Sequence, residues 1–397
     1  MIAPQPFFEP RGTPFSEFHR IRALSDLGHT VDLVTYPFGQ DVSIPGLRVF
    51  RSWRVPFLTR VGIGPSLVKI PLDALLTLTA ARRALSCRYD AVHSHEEGGV
   101  IGVLLAALLR VPHVYDMHSS LPQQLTNFAF TRSRLVRQVF QAVERLMIRR
   151  SRVVIVICQS LADTVREIDP QARTVLIENA PGSAEEQATP EAALAVRRTL
   201  GLGETAPVVL YTGTFEAYQG LDLLFDAMAI VSATCPEARL VLAGGKPDQV
   251  ARERERARAA GIGDVTVFAG ERPASDIPAF LAAADVLVSP RSLGTNTPLK
   301  IYQYLRSGKP IVATRLLTHT QVLSDDTALL TGASSGDYAA GILAALGDPA
   351  RSAAIGAAAQ RLAATKYSYA AYLERTRQAC AALATPPGPV AIVKDLA

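Results

Sequence analysis

Short, unbroken apolar runs recur along this chain, each followed by a stretch of helical spacing, and that alternation restricts the fold more than any other feature. In the first half the runs are VDLVTY (31–36), LRVF (47–50), AVHSH (91–95), HVYDMH (113–118), VVIVIC (153–158) and TVLIEN (174–179). In the second half they are VVLYTG (208–213), ARLVLAG (238–244), VTVFAG (265–270), VLVSPR (286–291), PIVAT (310–314) and TALLTG (327–332). A strand without polar alternation is buried on both faces, and strands separated by helices pair in parallel. Two such series predict an α/β protein of two doubly wound, Rossmann-like domains. The 397 residues exceed what one core usually serves, and 48% hydrophobic against 19% charged residues exclude disorder for the bulk of the chain.

The expected organisation is a first domain over 1–180, a polar linker over 181–205 carrying one helix from Pro190 to Leu200, and a second domain over 206–365. A C-terminal helix over 366–384 is expected to pack back on the first domain, and the tail 385–397, with three prolines, to fray. Met1-Ile2-Ala3 reads as only the end of a first strand, whereas a central strand usually has about five residues. The native start is therefore expected several residues upstream. The longest apolar stretch, Val100 to Leu109, is half of the roughly 20 residues a membrane span needs and reads as a buried core helix. No basic start followed by an apolar run opens the chain, and Cys87, Cys158, Cys235 and Cys380 lie far apart without CxxC spacing. Reduced thiols and a cytoplasmic location are the expectation.

Charge is uneven. Residues 1–180 hold 21 Lys and Arg against 15 Asp and Glu, and the remainder 20 against 21. Eight basic residues and one acidic residue fall between Arg48 and Arg88, interleaved with Trp53, Phe57, Leu58, Val61, Ile63 and Leu67. Seven arginines against Glu144 fall between Arg132 and Arg152. Basic residues mixed with exposed apolar ones attract anionic lipid headgroups, so peripheral association with an anionic membrane surface is expected. A nucleic-acid partner is not, since aromatics are few and no recognised module is present.

Three strand–loop–helix junctions carry the candidate chemistry. In Pro10-Arg11-Gly12-Thr13-Pro14, Thr13 suits an N-cap and Pro14 a first helical position, for a helix Phe15 to Leu27 ended by Gly28. In YTGTFEAYQG, Gly213 ends a strand before a loop carrying Thr214 and Glu216. Most informative is LGTNTPLKIYQYLRSGKPIVAT (293–314), where Thr297-Pro298 marks a helix start and Gly308 its end. Small polar residues ahead of a helix offer amides and hydroxyls to a diphosphate. Lys300 in the first turn opposes the helix dipole, which a bound anion would explain, and Gln303 lies one turn on along the same face. In the first half, Asp116 and His118 close a strand, as do His93, His95, Glu96 and Glu97. His93 and His95 share a strand face, but no third metal ligand is assured, so no metal is expected.

Together GTNTPLKIYQYLRSGKPIVAT, YTGTFEAYQG, LVLAGG, and the opening PRGTPF with LSDLGHTVDLVT resemble family 4 of the retaining glycosyltransferases, over roughly residues 1–380. The resemblance implies the GT-B fold, two Rossmann-like domains facing across a cleft. It implies a nucleotide diphosphate sugar bound by the C-terminal domain, an acceptor (a lipid-linked sugar or growing glycan) bound by the N-terminal domain, retention at the anomeric carbon, no cofactor and no obligatory metal. Lys300 then resembles the diphosphate-binding cation, with Gly213, Thr214, Asn296, Thr297 and Leu299 around the donor. Gln303 and Thr295 fall where the family often has a ribose-binding and a sugar-binding glutamate, and Thr214 and Gln219 where it often has Arg and Lys. His118 resembles the histidine placed beside the donor sugar. Arg11, Gly12, Thr13, Asp116 and Glu96 are expected to line the acceptor side, with Glu216 a further catalytic contributor. Because the paired carboxylates are absent, an epimerase or hydrolase on the same scaffold, or a non-catalytic sugar-nucleotide-binding protein, stays open.

Overall fold

A computed structural model describes residues 1–9, 12–58, 61, 66–127, 133–179 and 188–384. Ile63, residues 181–187 of the expected linker and the tail 385–397 lie outside these. The chain forms two compact units, one of Met1–Asn179 with the chain from Ala370 onward, the other of Ala180–Tyr369.

The first unit is built on a seven-stranded sheet of β1 (Ile2–Ala3), β2 (Val31–Thr35), β3 (Leu47–Arg51), β4 (Val92–His95), β5 (His113–Met117), β6 (Val153–Val156) and β7 (Thr174–Leu176). Its order is β3-β2-β1-β4-β5-β6-β7, with every pair parallel. The two-residue β1 pairs Ile2 with Val34 on one side and with Ser94 on the other. The second unit holds β8 (Val208–Thr212), β9 (Arg239–Ala243), β10 (Thr266–Gly270), β11 (Val286–Ser289), β12 (Ile311–Thr314) and β13 (Leu329–Thr331), ordered β10-β9-β8-β11-β12-β13 and again all parallel.

The unbroken apolar runs explain this layering. In β8, Val209 and Tyr211 pack into one core with the helices Leu221–Thr234 and Ser335–Gly347. Val208 and Leu210 point the other way, into a second core with the helices Leu299–Ser307 and Pro349–Lys366. Each such buried side chain contributes about 1.5–3 kcal/mol, and both sheet faces are needed to collect it. Strand order reverses between β1 and β4 and between β8 and β11, so each sheet has a crevice outside the carboxyl ends of those strands, where open α/β sheets take ligands.

Several details differ from the sequence reading. The helix Gly12–Asp26 begins at Gly12, itself at φ +53°, so Thr13 lies within the first turn rather than capping it. The helix Gly99–Leu109 is not a buried core helix. Gly102, Leu105 and Ala106 face the sheet, while Leu104 and Leu108 are 65% and 64% exposed. An outer-layer helix has only one stripe against the strands, however apolar its sequence. The helix Pro190–Thr199 packs on the helix Ile277–Ala283, and its Arg197 donates to the Ala283 carbonyl and pairs with Asp285. In the first unit the helix Tyr369–Ala384 pairs Arg375 with Glu178 and accepts at Thr376 Oγ1 from Arg20.

Candidate functional site

The second unit assembles its candidate site at the β8/β11 reversal. β8 is followed directly by Gly213 at φ +134°, and a Cβ there would stand 3.4 Å from Lys300 Nζ. Gly220, at φ +75°, is bound to its place more tightly, since a Cβ would lie 2.1 Å from the Pro290 carbonyl oxygen. The loop after β8 is thus held close against the loop after β11, helped by the bond from Ser292 N to Tyr218 O at 3.1 Å. Between them, Lys300 projects from the first turn of the helix Leu299–Ser307, whose N-cap is Pro298.

Lys300 is buried, and its Nζ lies 3.7 Å from the centre of the Tyr211 ring and has no hydrogen-bond partner among the described residues. Burial, reinforced by the charge of Arg291, drives its pKa well below the usual lysine value. Thr297, which precedes that helix, likewise has a buried Oγ1 without a partner among them. Two unsatisfied buried polar atoms at one helix start are costly unless something outside the chain meets them. Around them, Thr295 O accepts from Gln321 Nε2 and Asn296 O accepts from Thr318 Oγ1 at 2.7 Å, so loop 291–298 is held by its own carbonyls. Leu299 opens the helix, Gln303 is half-buried one turn on, and Thr214 is exposed, its carbonyl accepting from Tyr211 OH at 2.7 Å. Glu216 is exposed and accepts from Gln249 Nε2 at 3.1 Å. Arg291 does not stand out in the sequence. Its signal is the basic residue directly after VLVSP, but nothing local says that a residue there turns inward.

The first unit brings together Glu17, Arg20, His93, His95, Glu96, Asp116 and His118 at the β1/β4 reversal. Arg11 lies outside the described residues; Gly12 and Thr13 begin the helix that supplies Glu17 and Arg20. Arg20 Nε donates to Asp116 Oδ2 at 3.0 Å with both side chains buried, and its guanidinium lies 5.0 Å from the Tyr372 ring centre. His93 Nε2 is 3.2 Å from the same Oδ2, and His95 Nδ1 is 3.1 Å from His118 Nε2, which in turn is 3.2 Å from Asp116 Oδ1. Burial raises the Asp116 pKa, but Arg20 with His118 and His95 outweighs it and holds the carboxyl well below its usual range. Burial keeps His93 and His95 lowered, His95 far so, and Arg20 is therefore the cation that matters. Sequence reasoning leaves the two histidines without a third ligand; the structure supplies Asp116, with one ligand atom of each within 4.8 Å. The guanidinium on that same carboxylate opposes a metal cation there.

Glu96 sits at φ +48°, a region non-glycine residues seldom enter, immediately after β4. Burial, opposed by His118, raises its carboxyl to about 7, and it accepts from Ser119 Oγ at 2.8 Å. A raised carboxyl stabilises the fold below its unfolded value and loses that contribution as pH climbs through the folded one. Glu96→Gln is therefore expected to raise the melting temperature at pH 8.5, by about 2–3 kcal/mol of stability, and to leave it unchanged at pH 4.5. Equal effects at the two pH values in thermal melts would contradict that assignment.

Two parallel sheets, each with a crevice at its strand-order reversal, and a buried cation at one of them, define a protein of two Rossmann-like α/β units. Residues 194–362 match the family Glycosyl transferases group 1, and residues 19–180 match the Glycosyl transferase 4-like domain. The chain belongs to this family of sugar-transferring enzymes. It is 32% identical over 288 residues to 2-deoxystreptamine N-acetyl-D-glucosaminyltransferase of Streptomyces fradiae, spanning 68% of this chain and 66% of the relative. It is 27% identical over 365 residues to D-inositol 3-phosphate glycosyltransferase of Kribbella flavida, spanning 85% and 83%. Among solved structures, sucrose-phosphate synthase of Thermosynechococcus elongatus superposes with a TM-score of 0.77 at 20% identity, over 96% of this chain and 98% of that one. HepE of Anabaena in complex with UDP superposes with 0.75 at 19%, over 96% and 99%. The fold shared with these proteins is GT-B.

Proposed function

We propose that the protein transfers a sugar, with retention, from a nucleotide diphosphate sugar to an acceptor hydroxyl, holding the diphosphate at Lys300, Gly213 and the start of the helix Leu299–Ser307. The observation that carries this reading is the buried Lys300 ammonium without a partner at the β8/β11 reversal. HepE, of the same fold, was crystallised with UDP and with UDP-glucose, which supports a nucleotide sugar as donor. As the bond from the anomeric carbon to the phosphate oxygen breaks, negative charge grows on the departing diphosphate, and a preorganised cation stabilises it. The acceptor oxygen bonds to the anomeric carbon on the same face, and its proton passes to the departing phosphate oxygen. No side-chain nucleophile is then required. The reading places Asp116 on the acceptor side and His118 beside the donor sugar, and needs no metal or cofactor.

Calorimetry against UDP-, GDP- and ADP-sugars, followed by transfer of label from whichever binds, tests the reading. No binding of any nucleoside diphosphate to folded protein would end it, and an inverted anomer in the product would end the retaining mechanism.

A lipid-linked acceptor at an anionic membrane surface is favoured by one specific arrangement. Arg110, Arg149, Arg150, Arg152 and Arg173, with Asp169 as the one carboxylate among the lining residues, line a cavity of about 550 Å³ in the first unit. Nearby helices expose Leu104, Leu108, Leu135, Val139 and Leu146, and Trp53, Phe57 and Leu67 are also exposed. No described helix is long and apolar enough to cross a membrane. Flotation with vesicles rich in phosphatidylglycerol at low salt is the check; protein left at the bottom of the gradient would refute surface association.

A further inference from the structure

Lys300 is not the only cation at this site: Arg291 is half-buried beside it. Arg291, two residues past β11, turns back over the loop it begins. Its Nε donates to the Leu293 carbonyl at 2.8 Å and its Nη1 to the Asn296 carbonyl at 3.0 Å, and its guanidinium lies 5.0 Å from the Tyr218 ring centre. The remaining nitrogen, Nη2, makes no hydrogen bond among the described residues. It packs against Gly294, where a Cβ would come within 2.6 Å of it. Burial lowers the Arg291 pKa and, first among causes, that of Lys300, on which Arg291 acts as the neighbouring charge; among the described residues no carboxylate acts on either group. His319, fully buried between Ser289 Oγ at 2.8 Å and the Thr314 carbonyl at 2.8 Å, is held down to about 4 by burial and supplies no negative charge either.

Two like charges, one buried and one half-buried, set near each other without an anion repel one another and lose solvation. Such an arrangement is expected where the anion arrives from solution, and one of more than a single negative charge fits two cations. A guanidinium with two donors committed to carbonyls of its own loop is pre-aimed, so its free edge contacts phosphate without the ordering penalty of a long exposed side chain.

We propose that Arg291 is a second phosphate-binding cation of this site, contacting the diphosphate of the nucleotide together with Lys300. The inference rests on the reading of the Lys300 site as a nucleoside diphosphate site. It assigns Arg291 to the half of the ligand that distinguishes a diphosphate from a nucleoside, and it makes Gly294 the residue that lets the guanidinium lie flat along the loop.

The test is calorimetric, on the full chain, with UDP, UMP and uridine, and with the GDP and ADP series alongside. Arg291→Gln is expected to weaken the diphosphate about 10–100-fold, the range of a charged hydrogen bond to phosphate, the monophosphate less, and the nucleoside not at all. Arg291→Lys is expected to recover part of that affinity, since it restores the charge without the fork. An unchanged affinity for the diphosphate overturns the proposal. So does an equal weakening of diphosphate and nucleoside, which marks a collapsed loop rather than a missing bond to phosphate. If Lys300→Met weakens the diphosphate and Arg291→Gln does not, the site stands and Arg291 falls. If the folded wild-type protein binds no nucleoside diphosphate, both readings fall together.

Discussion

Arg20→Met is expected to destabilise the first unit by about 3–5 kcal/mol at pH 7.5. The substitution keeps much of the side-chain volume but leaves the Asp116 carboxylate buried with no cation, and it also removes the bond from Nη1 to Thr376 Oγ1 at 3.2 Å and the packing over the Tyr372 ring. The sign with pH follows from the depressed carboxyl. A lowered Asp contributes stability above its unfolded pKa and loses it as pH falls through the folded one, and it is Arg20 that keeps Asp116 lowered. Without Arg20, burial raises the carboxyl instead, so the deficit is largest at neutral pH and shrinks toward pH 4, where the variant can protonate. Adding Asp116→Asn removes the orphaned charge and should recover most of the stability. Urea unfolding of the wild type, the single and the double variant at pH 7.5 and pH 5 measures this. A deficit under about 1 kcal/mol, or no rescue by the second substitution, would show that the pair is not what holds the cluster.

Lys300→Met is expected to move stability and binding in opposite directions. In the free protein the ammonium is buried, unpartnered and beside Arg291, so methionine at that position should stabilise the second unit by about 1–2 kcal/mol at pH 7. A lowered lysine binds more protons unfolded than folded, so wild-type stability rises with pH across that interval, and the advantage of methionine fades toward pH 10. Donor binding, in contrast, should weaken by about 2–3 kcal/mol, roughly 30–150-fold, because methionine cannot replace a cation on phosphate. Thermal melts and nucleotide titrations on the same preparation read both effects. A variant that is less stable and equally tight in binding would place Lys300 outside the ligand site.

Much of the architecture is legible in the order of residues. The twelve apolar runs, read as strands buried on both faces, predict two parallel sheets, and each run falls on a strand of the fold. Only β1 is too short to stand out as a run, and it is recognisable from its place before a loop and a helix. Lys300 draws notice because a cation in a first helical turn is locally unfavourable, and an unfavourable local choice marks a constraint from elsewhere. Its neighbour Arg291 gives no such signal. An arginine after a strand is unremarkable until the chain is seen to fold it over Gly294 and under the loop that Gly220 clasps. Similarly, His93, His95, Asp116 and His118 are recognisable as strand ends, but Glu17 and Arg20 sit on a helix whose sequence reads as an ordinary surface pattern. The apolar helix Gly99–Leu109 misleads in the other direction, since composition reports how oily a segment is and not which side of it meets the sheet.

Alone, the sequence determined the class of architecture, because backbone hydrogen bonding and burial on two faces leave few ways to satisfy runs spaced by helices. It also placed the strand–loop–helix junctions, because glycine and proline punctuate them wherever they occur. Only the tertiary structure decided which charges meet. Electrostatic pairing depends on separations of a few ångströms between residues as distant in the chain as Arg20 and Asp116, or on a loop doubling back as at Arg291. Those distances are products of packing, and the unpaired state of Lys300 is a property of everything around it rather than of lysine.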